Sequence, residues 1–541
     1  MGAHNSDSHL FSSLKGNLWM MVCILLWGVA CFAFFECCYR YHFFYQEQNQ
    51  IFLFSDDYLR GYFQRPAWFA CLTGDFLTQF YYYLYVGPAL LTLTLLTLGD
   101  LTRRALQRAG LAKGWAFAIA VVVMTVEAVC ACDADFRLST VVALCGGLAA
   151  YIATSFISRG KTSGAIAITL AAVLTYWLFG YGLWILLLLA VLERLCRRRQ
   201  QPLHWSDTFL LMPAVIAVLV AMTCSNVYYL TPGAALTYPG IGRLKAPDFI
   251  LEQDFAVDNE YHFGHYRKVE QIVESAPAEK RTEEMLFFYN LVQAQKGELP
   301  DKLLKFVPNQ LGTFYAIGPN TPRITIINMN ELYWALGDMT LTERAAMMTN
   351  VFAPNNRNVR MIKRLAECNL VSGDTLAANK YLRLLEKTWV YADWARRMRQ
   401  REPKAFHYIL EKRKFANQAD TIRLSDNLHL VMMQLLDSNP KNTVALDYIL
   451  CSNLLLKDIT NFKRDYDRYC YEQGQERVKP LYQQALMIYL AGTNAPEEEW
   501  HKYIHDNNEM QRFAAYNSQR GNPKYSDTYW YYFDTAKVPQ P

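Results

Sequence analysis

Apolar residues dominate the first 225 positions of the chain, where they form long runs separated by short polar links. These runs cover residues 18–35, 80–98, 115–131, 138–157, 165–179, 183–192 and 209–224. Most of them approach the ~20 residues that an apolar helix needs to cross a hydrocarbon core of ~30 Å. The pattern predicts a transmembrane domain of about seven helices in residues 1–225.

The number of spans depends on a break between the fifth and sixth runs. Residues 163–192 form one apolar stretch interrupted by Gly180, Tyr181 and Gly182, so they make either one span or two. Three links are basic, and short basic links stay in the cytoplasm. Their residues are Arg103, Arg104, Arg108 and Lys113, then Arg159 and Lys161, then Arg194, Arg197, Arg198 and Arg199. If the break is a turn, all three links share the side of the N-terminus, so we expect seven spans, a cytoplasmic N-terminus and an exported C-terminal half.

The second half of the chain changes character after about residue 225. Pro-Gly pairs at 232–233 and 239–240 mark a linker over residues 226–255. Residues 256–541 then show helical periodicity, and only residues 324–327 resemble a strand. The sequence therefore predicts an all-α protein.

Helical hairpins recur in this second half. In residues 360–387 two helical patterns flank Gly373-Asp374, and Ala378 follows five residues after the glycine, which resembles a tetratricopeptide repeat. Weaker echoes surround Gly297-Glu298 and Gly337-Asp338, and another hairpin is expected at Lys457-Asp458. The resemblance implies a helical-repeat solenoid with a concave surface for a protein partner. The alternative is a set of packed helical hairpins without a regular repeat.

Charge and cysteine content narrow the possible ligands. Much of the net charge of +5 lies in the links between apolar runs, which is a topology signal and not a nucleic-acid patch. Most of the 13 cysteines lie in or beside the runs, and no pair has zinc-site spacing. We expect no cofactor and no nucleic acid. A basic aromatic stretch from Trp394 to Arg401 is typical of a rim or of a contact with an acidic partner.

Acidic residues in and between the spans are the candidate chemical groups. Glu127 lies within the third run, and ionisable residues in spans are costly unless they have a use. Asp56 and Asp57 lie in the long second link, and Asp133 and Asp135 follow the third run. Asp56, Asp57, Asp133 and Asp135 are either solvated loop charges or part of a catalytic site. Glu127 is either a polar contact between packed helices or a further member of that site.

The placement of these carboxylates resembles multi-span glycosyltransferases that use polyprenyl-phosphate-linked sugars. The resemblance implies that Asp56 or Asp57 acts as the base, and that Asp133 and Asp135 hold a divalent cation such as Mg²⁺ or Mn²⁺. Arg40, Arg60 or Arg137 would then bind the phosphate of the lipid-linked sugar. Such enzymes commonly have more than seven spans, so the seven spans predicted for this chain depart from their pattern.

The chain as a whole resembles an uncharacterised family of Gram-negative inner-membrane proteins with a periplasmic tetratricopeptide-like half. The resemblance rests on Glu47, Gln48, Gln50, Phe52, Leu53, Tyr58, Pro66, residues 75–80 and residues 388–395. This resemblance implies no known activity. The sequence thus favours a protein anchored in the lipid bilayer that presents a repeat domain to a protein partner, with the glycosyltransferase as the alternative and enzymatic activity left open.

Overall fold

A computed structural model describes residues 4–157, 161–197, 211–309, 311, 321–353, 356–416, 427–472 and 479–538. Within these residues the regular elements are helices, and none is a strand, which confirms the all-α prediction. Residues 324–327, which resembled a strand, lie inside a helix. The chain divides into two compact units: unit 1 contains residues 1–252 and 386–392, and unit 2 contains residues 253–385 and 393–541.

Unit 1 contains helices from each of the seven apolar runs, together with short helices between them. They are α1 (His4–Cys37), α2 (Tyr41–Gln48), α3 (Asp56–Phe63), α4 (Trp68–Thr78), α5 (Val86–Arg108), α6 (Lys113–Cys130), α7 (Leu138–Ile157), α8 (Lys161–Phe179), α9 (Gly182–Arg197), α10 (Leu211–Tyr228) and α11 (Pro232–Thr237). A 3-10 turn, Gln79–Tyr82, precedes α5.

The basic links of unit 1 meet at one end of its helices. At the end of α5, Arg108 donates to Ser155 Oγ at 2.7 Å near the end of α7. A Cβ added to Gly110, in the next link, would lie 3.1 Å from Cys196 Cβ near the end of α9. This common end agrees with the charge pattern that the sequence showed. Arg159, Arg198 and Arg199 lie outside the described residues.

The break at Gly180 is a turn between two helices. Gly180 adopts φ +56°, a left-handed conformation that favours glycine, and α8 ends just before it. Tyr181 donates to the carbonyl of Thr140 at the start of α7, 2.8 Å away, so this turn lies at the end opposite the basic links. A Cβ at Gly147 would lie 2.1 Å from Gly182 O, so α7 and α9 approach closely through their glycines. Residues 163–192 therefore form two helices.

Three helical segments of the described chain are long and apolar enough to cross a membrane, judged by length and composition alone. They are Leu18–Cys37, Lys113–Cys130 and Leu138–Phe156. Ala167–Phe179 and Val218–Tyr228 are apolar but shorter. The count of seven spans stays a prediction.

Unit 2 is built from shorter helices, and α12 crosses the boundary between the units at Glu252. The first group is α12 (Phe249–His262), α13 (Tyr266–Ser275), α14 (Glu283–Lys296), α15 (Leu299–Lys302), α16 (Arg323–Leu336), α17 (Met339–Phe352), α18 (Val359–Ser372), α19 (Thr375–Leu385), α20 (Ala392–Arg399) and α21 (Pro403–Phe415). The second group is α22 (Leu428–Ser438), α23 (Thr443–Leu455), α24 (Ile459–Tyr466), α25 (Pro480–Gly492), α26 (Glu497–Tyr503), α27 (Asn507–Asn517) and α28 (Tyr529–Thr535).

The hairpin turns of unit 2 fall where the sequence predicts them. Helices α14, α16 and α18 end at Gly297, Gly337 and Gly373, each in the left-handed conformation typical of a helix C-terminus. After the second of these, Asp338 accepts from Leu341 N at 2.9 Å and so caps α17. Asp458 likewise caps α24 after the fourth turn. The four helical hairpins are confirmed as local structure.

The packing of these hairpins is less linear than a simple solenoid. Helices α16 to α19 pack in sequence order, as repeats do. Helix α23, however, packs against α14, α15 and α16, which precede it by more than one hundred residues in the chain. One hydrophobic core accordingly runs from Val257 to Tyr532. A tetratricopeptide-like solenoid stays a prediction.

Candidate functional site

Asp56 and Asp57 occupy the first turn of α3 in unit 1. Both side chains are exposed. Acidic residues at this position interact favourably with the N-terminal end of the helix dipole, which is a sufficient structural reason for them. The structure therefore leaves these carboxylates accessible to solvent.

Asp133 and Asp135 lie in the loop between α6 and α7. Asp135 N donates to Asp133 Oδ1 at 3.4 Å, and the Gln46 side chain of α2 donates to Asp133 O at 3.3 Å. Asp133 is partly buried and Asp135 is exposed. Among the described residues, no group of three or more His, Cys, Asp or Glu side chains is arranged to hold a metal ion. A cation at this pair would need further ligands from water or from a substrate.

Glu127 lies near the end of α6, three residues before Cys130. Its Oε2 atom is buried and has no hydrogen-bond partner among the described residues. The linker passes close to it, because a Cβ at Gly242 would lie 3.6 Å from this oxygen and 3.0 Å from Cys130 Cβ. A buried carboxylate oxygen without a donor is costly, so Glu127 remains a candidate for a functional role.

Sequence reasoning missed a buried histidine and its acidic neighbour in unit 1. His42 in α2 is 1% exposed, and neither ring nitrogen has a hydrogen-bond partner in the described part of the chain. Its Nδ1 lies 3.6 Å from Oε2 of Glu252, while Tyr41 N donates to Oε1 of the same carboxylate. These residues are separated by about two hundred positions, so no local pattern could have paired them.

The chain returns to unit 1 at residues 386–392. Phe54 N donates to Lys387 O at 2.7 Å, and Tyr391 Oη donates to the buried carboxylate of Glu47 at 3.0 Å. The ring of Tyr391 packs edge-on against Tyr82. Glu47 and residues 388–392 belong to the positions on which the family resemblance rests, and the structure brings them together.

A second polar group of that resemblance surrounds Asp75 in α4. Tyr62 donates to Asp75 Oδ2 at 2.6 Å, and Gln50 donates to Asp75 O at 3.1 Å. Burial, with the negative charge of Asp75 beside it, raises the pKa of the Tyr62 hydroxyl well above its usual value. The pair is therefore a neutral phenol donating to a carboxylate, which holds α3 against α4.

Unit 2 contains a buried network of charged side chains that joins α12, α16 and α18. Arg360 donates to both oxygens of Asp258 at 2.8 Å and to Glu331 Oε1 at 2.8 Å. Arg364 donates to Glu331 Oε2 at 2.7 Å and approaches Glu367 at 3.1 Å. The arginines and carboxylates thus pair with one another, although Arg364 Nε is buried without a hydrogen-bond partner among the described residues. This pairing of opposite charges marks the network as structural.

The electrostatics of the network follow from burial and from mutual pairing. Burial opposes the ionisation of Glu331, but Arg364 and Arg360 outweigh it and hold the pKa of Glu331 well below its usual value. Burial, with the charge of Arg360 nearby, lowers the pKa of His262 to about 3. His262 is therefore neutral at physiological pH.

Cations and aromatic rings alternate along α16, α18, α20 and α21 of unit 2. Trp334 lies between Arg364 and Lys412, whose charged groups are 4.3 Å and 5.3 Å from its ring centre. Lys363 lies 5.1 Å from the ring of Trp394. Burial, with Arg364 nearby, lowers the pKa of Lys412 to about 7. We call these five residues the cation-aromatic surface.

The fold and these sites define an all-helical protein with apolar, span-length helices in one unit and helical hairpins in the other. The chain belongs to DUF6057, a family of unknown function whose model matches residues 16–536. This match confirms membership of an uncharacterised family. No curated protein and no solved structure was found to match the chain.

Proposed function

We propose that unit 1 anchors the protein in a bacterial inner membrane and that unit 2 binds a protein partner in the periplasm. The exposed apolar face of the unit 1 helices carries this proposal. On α6, Trp115, Ile119, Val122 and Val126 are exposed at spacings of four, three and four residues, so they form one stripe. An apolar stripe of this length is unfavourable in water and favourable against lipid.

The orientation follows from the end at which the basic links meet. Short links rich in Lys and Arg remain in the cytoplasm. The Asp133 loop and the Gly180 turn lie at the opposite end of the unit 1 helices, which is then the periplasmic end. This arrangement supports a C-terminal half exported to the periplasm.

Three partly buried members of the cation-aromatic surface, Trp334, Lys363 and Trp394, are the proposed contact with the partner, whereas Arg364 belongs to the buried network. Trp, Tyr and Arg side chains are enriched in protein interfaces, because they combine large apolar contact with directional polar groups. Trp334 and Trp394 are only partly buried, so they offer such contact area. Trp334 lies on α16 and Trp394 on α20, so both rings are carried by helices.

In-cell photo-cross-linking tests this contact directly. A photoreactive amino acid replaces Trp394 in the full chain, and the matched control replaces exposed Lys524 in the last part of unit 2. We expect one discrete protein adduct at position 394 and none at position 524. The adduct at position 394 should disappear when the same chain also carries Lys363→Glu. Identical adducts at both positions, or none at position 394, would contradict the proposal.

The glycosyltransferase remains a second candidate because the two outer links meet. Tyr39 donates to Cys132 O at 3.1 Å, and the Gln46 side chain reaches the carbonyl of Asp133. In this function Asp133 and Asp135 would hold Mg²⁺ or Mn²⁺ against the phosphate of a lipid-linked sugar, with Asp56 or Asp57 as the base. A double substitution, Asp133→Asn with Asp135→Asn, tests it in a growth assay with the membrane level measured by blot. Lost function at a normal level favours the transferase, whereas full function removes it.

A further inference from the structure

We propose that Arg65 and Arg137 bind the phosphate group of a membrane lipid whose hydrocarbon chain lies along α8. Both arginines and α8 belong to unit 1. The inference rests on the proposed anchoring of unit 1, and it adds a bound lipid that the anchoring alone does not specify.

The folded chain brings the two arginines to one end of the unit 1 helices. The turn at residues 180–181 contacts the two loops that carry them. A Cβ added to the glycine of this turn would lie 2.8 Å from Ala67 Cβ, and the tyrosine hydroxyl of the turn donates to Thr140 O at 2.8 Å. Arg65 precedes Ala67 by two residues and Arg137 precedes Thr140 by three. Both arginines therefore lie at the end opposite the basic links.

The two arginines act on the same side chains. Burial raises the pKa of Tyr238 to about 12, and the charges of Arg65 and Arg137 both oppose this shift. The same two charges lower the pKa of the Cys71 thiol, which burial raises. Both arginine side chains are exposed. The two guanidinium groups thus converge on one accessible region, where paired N–H donors suit the oxygens of a phosphate.

The carboxylates of this region leave the two positive charges available. Neither Arg65 nor Arg137 forms an ion pair with a carboxylate in the described part of the chain. Asp75 accepts the hydrogen bond of Tyr62 at 2.6 Å. Acidic residues at 133 and 135 share the loop of Arg137 without pairing with it. Because these negative charges repel a polyanion, the region suits a single phosphate better than an acidic protein.

An exposed apolar stripe on α8 favours a lipid as the source of that phosphate. The stripe spans seven residues, a rise of roughly 10 Å. It consists of Leu170, Val173, Leu174 and Trp177, which share one side of the helix. The ring of Trp177 packs against Trp68, with centroids 5.6 Å apart, and Trp68 follows Arg65 by three residues. A hydrocarbon chain can therefore cover the stripe while its headgroup reaches the arginines.

The indole nitrogen of Trp68 is an independent sign of a ligand. Its Nε1 atom is buried and has no hydrogen-bond partner among the residues that the structure describes. A buried indole N–H usually has an acceptor. Tryptophan rings prefer the headgroup level of a bilayer, where lipid oxygens are available. An oxygen of the bound lipid would supply the missing acceptor.

Native mass spectrometry of the full chain in detergent tests the inference with two pairs of lipids. Phosphatidylglycerol is compared with diacylglycerol, and polyprenyl phosphate with polyprenol, so one member of each pair lacks the phosphate. We expect about tenfold more bound lipid for the phosphate-bearing member of at least one pair. The pair that shows the difference identifies the kind of lipid. Equal binding within both pairs would overturn the inference.

Matched variants assign the preference to the two arginines. Arg65→Gln with Arg137→Gln should remove it, whereas Arg520→Gln with Lys524→Gln, which removes two exposed charges of unit 2, should retain it. A preference that survives the first double variant would place the phosphate elsewhere and overturn the inference. Melting temperatures in detergent show whether each variant folds.

A photoactivatable lipid of the preferred kind tests the site in the unchanged chain. Labelling should be stronger in residues 170–177 than in residues 115–126, which carry the exposed stripe of α6. Equal labelling of the two stripes would overturn the inference. Release of the chain from membranes by alkaline carbonate would instead refute the anchoring, so the two failures are distinguishable.

Discussion

Helices α6 of unit 1 and α23 of unit 2 are both strongly apolar, but different surroundings cover them. Helix α23 lies in the hydrophobic core of unit 2, and every residue from Ala445 to Leu455 is buried. Helix α6 buries four side chains and exposes the stripe that contains Trp115 and Val122. An apolar helix is stable in either setting only if something apolar surrounds it. Protein fills that role for α23, and we infer that lipid fills it for α6.

The charged network of unit 2 and two buried polar groups of unit 1, His42 and Glu127, differ in how they are paired. The network around Arg360 in unit 2 balances buried charges against one another. In unit 1, His42 and one oxygen of Glu127 are buried without hydrogen bonds among the described residues. Paired charges of the first kind stabilise a fold, whereas unpaired buried groups of the second kind are candidates for a functional role.

The largest effect should come from breaking the buried network of unit 2. Glu331→Gln leaves Arg360 and Arg364 without one shared carboxylate, and we expect a loss of about 3–5 kcal/mol in the free energy of unfolding. Thermal unfolding of the full chain in detergent measures it. The matched control is Asp393→Asn, whose carboxylate also faces two arginines but is exposed, and it should cost less than about 1 kcal/mol. Equal losses would show that the network is not structurally important.

Two truncations of apolar side chains compare the protein that surrounds α23 with the lipid that we infer surrounds α6. Leu450→Ala in α23 removes a fully buried side chain and should cost about 2–4 kcal/mol of unfolding free energy. Val122→Ala in α6 removes a side chain that is 60% exposed, so it should cost less than about 1 kcal/mol. Thermal unfolding in detergent measures both. A large loss from Val122→Ala would mean that protein, and not lipid or detergent, covers this stripe.

The pH dependence of unit 2 should show the neutral state of His262. Its pKa is about 3 when folded and about 6.5 when unfolded, so the unfolded state binds the proton more tightly between these values. Its contribution to stability is complete above pH 7 and decreases as the pH falls, by about 2 kcal/mol at pH 5. Melting temperatures at pH 7 and pH 5 measure it, and His262→Gln should show a smaller decrease. An unchanged decrease in the variant would assign the acid sensitivity to other groups.

The smallest effect concerns the return of the chain to unit 1. Tyr391→Phe removes the hydrogen bond to the buried carboxylate of Glu47, at a cost of about 1.5 kcal/mol. Opening of the segment should then be easier, so the Phe54 amide, which donates to Lys387 O, should exchange roughly tenfold faster. Tyr408→Phe, which removes a similar bond to Glu367 in unit 2, should leave this exchange unchanged. Unchanged exchange of the Phe54 amide in Tyr391→Phe would show that this hydrogen bond does not hold the segment in place.

Local signals allowed much of the fold to be predicted from the sequence. Each apolar run has a helix in the structure, and Gly180, Gly297, Gly337 and Gly373 end helices, because hydropathy and left-handed glycine conformations depend on nearby residues. Contacts between distant residues were not predictable in this way. Arg360 and Asp258 are 102 positions apart, and nothing in either local pattern indicates the pairing.

The candidate site was predictable only as a set of residue types. The sequence located the carboxylates at 56, 57, 127, 133 and 135 in or between apolar runs, and the structure adds that Glu127 has a buried oxygen without a donor. The pairing of His42 with Glu252, and of Glu47 with Tyr391, depends on how the outer link folds against later parts of the chain. Such pairings need the three-dimensional structure.

Extraction of cell membranes with alkaline carbonate tests the central claim most directly, because it releases peripheral proteins and leaves membrane-spanning proteins in the bilayer. The full chain is followed by blot in the pellet and in the supernatant, with a known peripheral protein and a known spanning protein as references. We predict that the chain stays in the pellet and is released only by detergent. Release by carbonate alone would contradict a lipid-covered unit 1.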